Sequence, residues 1–168
     1  SSTPAPVRKA LKEAVLIALT KDEGTLKKFV ADLEATWHSL NPEDIAFPRG
    51  VNGIKEYSDA NSIFRKGTPI HVRGALIYNH LINTRGLNKK YQLIQEGDKI
   101  KFLYLREPNL LGTHVITFSG EIPPEFNLQG YIDYDKMFDK SFIDPLNSLL
   151  NCIGWQVRDT ATLEGLFS

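Results

Sequence analysis

Lys99-Ile100-Lys101-Phe102-Leu103-Tyr104-Leu105 is the stretch on which the fold class turns. Lys99, Lys101 and Leu103 alternate with Ile100, Phe102 and Tyr104, a period of two that predicts a β-strand with both lysines on one face. Just upstream, Tyr91-Gln92-Leu93-Ile94 and the turn Glu96-Gly97-Asp98 complete the pattern of a β-hairpin, and His114 to Phe118 reads as a further strand. The flanks have the helical period instead. Val7, Leu11, Ala14/Val15 and Ala18/Leu19 lie on one face, and after the break Lys21-Asp22-Glu23-Gly24 so do Leu26, Phe29/Val30, Leu33, Trp37 and Leu40. Asn41-Pro42 ends this second helix, and two amphipathic helices joined by so short a break predict an antiparallel pair. Pro69 to Leu81 predicts a helix in spite of Gly74, an interior glycine that implies close packing. Tyr134, Met137/Phe138, Ser141/Phe142, Leu146 and Leu149/Leu150 predict a late helix that Pro145 kinks or splits. Phe47 to Gly53 has loop chemistry. The expected fold class is α+β: an antiparallel helix pair plus a late helix packed around a small antiparallel sheet built from residues 91–105 and 114–118.

Composition narrows the function. The chain has 168 residues, 42% apolar and 24% charged, as in an ordinary globular domain and unlike a disordered chain. A single cysteine excludes an intrachain disulfide scaffold, and Cys152, set in an apolar stripe, is expected to be a buried, inert thiol. The longest apolar run, Ala14 to Leu19, falls far short of the roughly 20 residues of a membrane span. No signal-type apolar segment opens the chain, which reads as cytoplasmic. The start Ser1-Ser2-Thr3-Pro4 lacks methionine and reads as the cut end of a fragment. The formal charge of zero conceals an asymmetry: residues 1–48 carry −1, residues 49–106 carry +7 and residues 107–168 carry −6. A basic middle between neutral and acidic parts is either a polyanion-contacting surface or a solvated face.

Catalytic signatures are absent from the sequence: no phosphate-binding glycine loop, no nucleophile elbow, and no metal-ligand spacing among His38, His71, His80, His114 and Cys152. Asp133 and Asp135 fit a helix start better than a metal site. Three segments instead couple a basic residue to glycine or a turn. They are Pro48-Arg49-Gly50-Val51-Asn52-Gly53, His71-Val72-Arg73-Gly74, and Gly97-Asp98-Lys99-Ile100-Lys101 with Leu105-Arg106-Glu107. Glycine lets the backbone approach an anion and donate to it, while Arg and Lys neutralise phosphate charge. With no surface aromatic platform in the pattern, contact with a duplex backbone is favoured over single-strand reading. The basic loops are expected to gather on one side.

These residues carry a resemblance. The opening with Val7 and Lys9-Ala10-Leu11-Lys12, then Ile45-Ala46, Asn52, Ile54, His71-Val72-Arg73-Gly74, Tyr78-Asn79, Glu96-Gly97-Asp98-Lys99, Leu105-Arg106-Glu107 and Asp133 to Leu146 run in the order and spacing of the thumb domain of T-even-type bacteriophage DNA polymerases of family B, which the chain resembles along essentially its whole length. The resemblance implies a thumb over residues 1–157 that grips primer–template duplex DNA through its phosphate backbone, with Arg49, Asn52, Lys55, Arg73, Gly74, Lys99, Lys101 and Arg106 as contacts. It implies that residues 158–168 form a tail similar to the family's sliding-clamp-binding peptide, holding the clamp through Leu163, Leu166 and Phe167. The family's catalytic palm motif, Tyr-Gly-Asp-Thr-Asp-Ser, is absent. The resemblance therefore implies no catalytic or metal residue in this segment, Mg²⁺ held by the palm, and inactivity of the segment alone. A free-standing interaction module, binding a protein through its acidic C-terminal third and apolar tail, is the alternative.

Overall fold

The computed structural model describes residues 2–157. In chain order it contains α1 (Ala5–Thr20), α2 (Glu23–Trp37), α3 (Pro42–Ile45), β1 (Phe47–Gly50), α4 (Ile54–Tyr57), α5 (Ile70–Thr84), β2 (Lys99–Tyr104), β3 (Val115–Phe118), α6 (Tyr134–Phe138), a π-helical stretch (Asp139–Ile143) and α7 (Asp144–Leu150), with single 3-10 turns at Pro124–Phe126 and Asn151–Ile153. The α+β class is as expected. The elements form two compact units. One takes the chain up to Pro4 and Asn41–Asp133; the other takes Ala5–Leu40 and the chain from Tyr134 onward.

The first unit is a three-stranded antiparallel sheet, ordered β1-β2-β3, with α5 against it. β2 is the predicted strand, but its upstream partner differs from the sequence expectation. Phe47, Pro48, Arg49 and Gly50 pair with Phe102, Lys101, Ile100 and Lys99, so the segment read as a loop is an edge strand. Tyr91–Ile94 forms no strand because the side chain of Asn79, on α5, takes both backbone groups of Ile94: Nδ2 donates to its carbonyl at 2.9 Å and Oδ1 accepts from its N–H at 2.8 Å. With those groups spent, Ile94 has nothing left for a ladder. α5 buries Val72, Gly74, Ala75, Leu76, Ile77, Tyr78 and Ile82. It lies so close to β3 that a Cβ on Gly74 would stand 2.2 Å from Thr117 Oγ1 and 2.8 Å from Thr117 N. Thr117 Oγ1 also donates to the His71 carbonyl at 2.8 Å, which fixes the helix along the strand. Leu103, Ile116 and Phe118 are fully buried, each contributing about 1.5–3 kcal/mol.

The second unit joins α1 and α2 to the late helix. Asp22 caps α2, its Oδ1 accepting from Thr25 N–H at 2.8 Å. Trp37 ties the pair to α6: its indole Nε1–H donates to the Tyr134 carbonyl at 2.8 Å and its ring meets Phe138 edge-on, centroids 5.2 Å apart. Tyr134 Oη returns a bond to the Leu40 carbonyl at 2.7 Å. Proline lacks an N–H and crowds the carbonyl four residues back. The helix meets Pro145 by widening rather than ending: the turn before it is π-helical, with Asp144 N–H bonded to the Asp139 carbonyl, and Pro145 falls in the first turn of α7. Cys152 is exposed, contrary to the expected buried thiol. The stripe stops at Leu150, and the 3-10 turn that follows rotates Cys152 outward together with Ile153.

Candidate nucleic-acid interface

Sheet register decides where the basic residues stand. In an antiparallel ladder, directly opposed residues share a face. Arg49 opposes Ile100, whereas Lys99 opposes Gly50 and Lys101 opposes Pro48. Phe102 and Thr117 are also opposed, and Thr117 meets α5. Arg49 is thus on the α5 face of the sheet, with Lys99 and Lys101 on the other. The expectation that the basic residues gather on one side is not met in terms of sheet faces. They form two groups, one at each end of β2.

The first group surrounds the start of β2. The Arg49 guanidinium lies 5.3 and 5.4 Å from the Phe47 and Phe102 ring centroids, and its Nη1 donates to the carbonyls of Ser2 at 2.6 Å and Pro48 at 2.8 Å. This arginine is held in place by stacking and backbone acceptors while part of it meets solvent. Asn52, Lys55 and Lys99 are exposed. The loop carrying Asn52 is locked to the turn before β2: Val51 N–H donates to the Asp98 carbonyl at 3.0 Å and Gly97 N–H to the Val51 carbonyl at 2.7 Å. Gly53, at φ 109°, occupies the left-handed region. Its N–H, suggested by the sequence as a donor to phosphate, is taken by Glu96 Oε1 at 2.5 Å. Lys101 is half-buried, with its ammonium bonded to the Glu43 carbonyl at 2.9 Å.

The second group lies at the far end. Arg106 is exposed, and its guanidinium donates to the Gly130 carbonyl. Arg73, half-buried on α5, has its guanidinium carbon 4.9 Å from the Phe64 ring centroid. Gly74 is buried beneath the helix, so its visible role is to let α5 seat on Thr117. At roughly 3.3 Å per extended residue, the seven steps from Lys99 to Arg106 span at most about 23 Å. His71 sits between the groups. Burial, and after it the charge of Arg49, hold its imidazole below the ordinary value of 6.5, against a hydrogen bond with the Gly50 backbone.

The sequence reading missed Arg65 and Lys66, both exposed beside Phe64. The signal was present: Phe64-Arg65-Lys66-Gly67 has the same basic-plus-glycine character as the three segments singled out. Leu163, Leu166 and Phe167 lie outside the described residues. Among the described residues, no three His, Cys, Asp or Glu side chains are grouped to hold a metal ion, and no helix is long and apolar enough to cross a membrane.

Comparison with known proteins gives no matching family model. It does give two similar proteins of known identity. Over 171 aligned positions the chain is 32% identical to the DNA-directed DNA polymerase of Enterobacteria phage T4 and 31% identical to that of Escherichia phage RB69. Each alignment covers 99% of this chain and 18% of the polymerase, so the chain spans about a fifth of the length of these relatives. By sequence, the chain belongs with one segment of the T-even phage DNA polymerases.

Proposed function

We propose that the chain acts as the thumb of a family B DNA-directed DNA polymerase, holding primer–template duplex through its phosphate backbone while residues elsewhere in the polymerase carry out synthesis. The observation that carries this reading is the placement of exposed or half-exposed cations at both ends of β2, on backbone that is rigidly cross-bonded, within a sequence similar end to end to phage polymerases. Arg49, Asn52, Lys55, Lys99 and Arg106 are the direct contacts. Lys101 adds charge from its half-buried position, and Gly74 seats the helix that presents Arg73. The chemistry is positional: cations and backbone-anchored donors neutralise phosphates and release counterions, without reading bases. A span of about 23 Å along β2 corresponds to roughly two-thirds of a duplex turn of about 34 Å, enough to meet several phosphates of a strand. Mg²⁺ and the reacting aspartates belong to the palm in this reading, and the chain alone is inactive. A sliding clamp is the proposed partner of Leu163, Leu166 and Phe167.

Fluorescence anisotropy of the 168-residue chain on a labelled primer–template duplex, across a salt series, tests the grip. The expected result is affinity falling steeply with salt, and a slope reduced by about one for each of Arg49, Lys55, Lys99 and Arg106 changed to Ala. Binding that ignores salt, or variants that bind as well as the parent chain, would overturn it.

A further inference from the structure

Leu110 is 70% exposed and, among the described residues, is the one large apolar side chain of the first unit left open to water; Leu16, Leu19, Leu149 and Ile153 belong to the second unit. It stands at the tip of the loop joining β2 to β3, and that tip is tightly held. Asn109 Nδ2 donates to the Arg106 carbonyl at 2.8 Å and to the Thr113 carbonyl at 2.7 Å, closing the loop from both sides. Asn109 Oδ1 accepts from Leu111 N–H at 2.9 Å. Gly112 N–H donates to the Asn109 carbonyl at 3.3 Å, so Leu110 and Leu111 are the central residues of a turn. Leu111 is half-buried; Leu110 is the one displayed. At the base of the loop, Leu105 N–H donates to the His114 carbonyl at 2.8 Å and Arg106 N–H to the Tyr131 carbonyl at 2.7 Å. A lone exposed leucine is ordinary. One presented on a cross-bonded turn, four residues from a proposed phosphate contact, has its ordering cost largely met before anything binds.

We propose that Leu110 enters the minor groove of the bound duplex and packs on its deoxyribose edge, which makes the grip selective for DNA over a ribose-containing strand. This rests on the duplex-holding reading above. From Glu107 to Gly112 the loop carries no basic side chain and one acidic one, so its tip does not meet phosphate by charge. What it offers is a single apolar group. Four backbone steps separate Arg106 from Leu110, about 14 Å at full extension. The minor groove of B-form DNA is about 6 Å wide, so Arg106 can hold a phosphate on its rim while Leu110 lies inside. The groove wall there is sugar, apolar in DNA. In a ribose strand the 2′-hydroxyl stands in that groove, and a leucine laid over it would cut it off from water without offering it a partner. A sugar contact is the same at every base pair, so it leaves the indifference to sequence intact.

The test is fluorescence anisotropy of the 168-residue chain on a labelled DNA primer–template duplex and on the same duplex with an RNA primer strand. The parent chain should bind the DNA duplex about tenfold more tightly than the hybrid. Leu110→Ala should weaken the DNA complex about tenfold and the hybrid little, bringing the ratio near one with the salt slope unchanged. Arg106→Ala should instead lower the salt slope and weaken both complexes. Leu110→Met, still apolar, should keep most of the preference for DNA. Leu110→Ala that weakens both complexes alike, or that holds the DNA duplex as tightly as the parent chain, would overturn the proposal; the second result would leave Leu110 to a protein partner. The salt series on the parent chain reads the phosphate grip separately. Salt-dependent binding that Leu110→Ala does not alter refutes this inference and keeps the grip, whereas a parent chain without salt-dependent binding refutes both.

Discussion

Gly74 shows how one missing side chain can hold a sheet and helix together. Thr117 occupies the space where a Cβ would be, and backbone as well as side chain is in the way. Gly74→Ala must therefore lift α5 from β3, and urea unfolding should show a loss of about 1–3 kcal/mol, with Thr117→Ala, which removes Oγ1, giving only partial relief because the Thr117 backbone nitrogen and Cβ still block. His71 supplies a pH dependence. Its folded-state value is depressed below 6.5, chiefly by burial and next by Arg49, so near and below that pH the unfolded chain binds more protons than the folded one. Stability is then lost as pH falls through 6.5 and levels off only below the folded value. Unfolding midpoints measured from pH 7 to 5 should fall more steeply in the parent chain than in His71→Gln. Glu125 runs in the carboxylate sense: the Tyr91 hydroxyl at 2.6 Å, and then Lys90, bring it to about 2. Its contribution is fully present above the ordinary 4.5 and disappears as pH falls toward 2. These couplings are invisible in a linear sequence, because Thr117, Arg49 and Tyr91 reach their partners only after the chain has folded.

At the scale of elements, the parts with a long, clean period were legible: α1, α2 and α5 from apolar spacing, and β2 from alternation. β1 was not, because proline and two glycines around Arg49 look like a turn. An edge strand pairs along one side only and so tolerates Pro48 where a central strand would not. The hairpin strand expected at Tyr91–Ile94 failed for a different reason, a side chain of α5 capturing its backbone, which no local pattern reveals. The site residues were legible as types, and their placement was not: which face each cation occupies follows from pairing with the unforeseen β1. The link between α2 and α6 can be tested directly. Trp37→Phe removes the donor to the Tyr134 carbonyl and part of a fully buried ring, and should cost about 1–3 kcal/mol in denaturant unfolding. A cost near zero would mean that water replaces the indole N–H at no penalty.

For the whole molecule, charge is balanced in sum and segregated in sequence, +7 over residues 49–106 and −6 over residues 107–168. Folding mixes the two stretches: residues 41–133 lie in one unit, where eleven basic residues meet ten acidic ones, and Lys90 pairs with Glu125 at 2.9 Å. A consequence comes from the way the chain alternates between its two units. The unit containing the sheet is drawn from one nearly continuous stretch, whereas Trp37 must wait for Tyr134, 97 residues later. On a ribosome moving at roughly 5–20 residues per second, that wait is on the order of 5–20 s. Throughout it, the N-terminal helices hold an indole ring and an apolar stripe with no late helix to receive them. Residues 41–133 can therefore complete their unit before α1 and α2 complete theirs, and during that interval those two helices are the part most in need of a chaperone's cover.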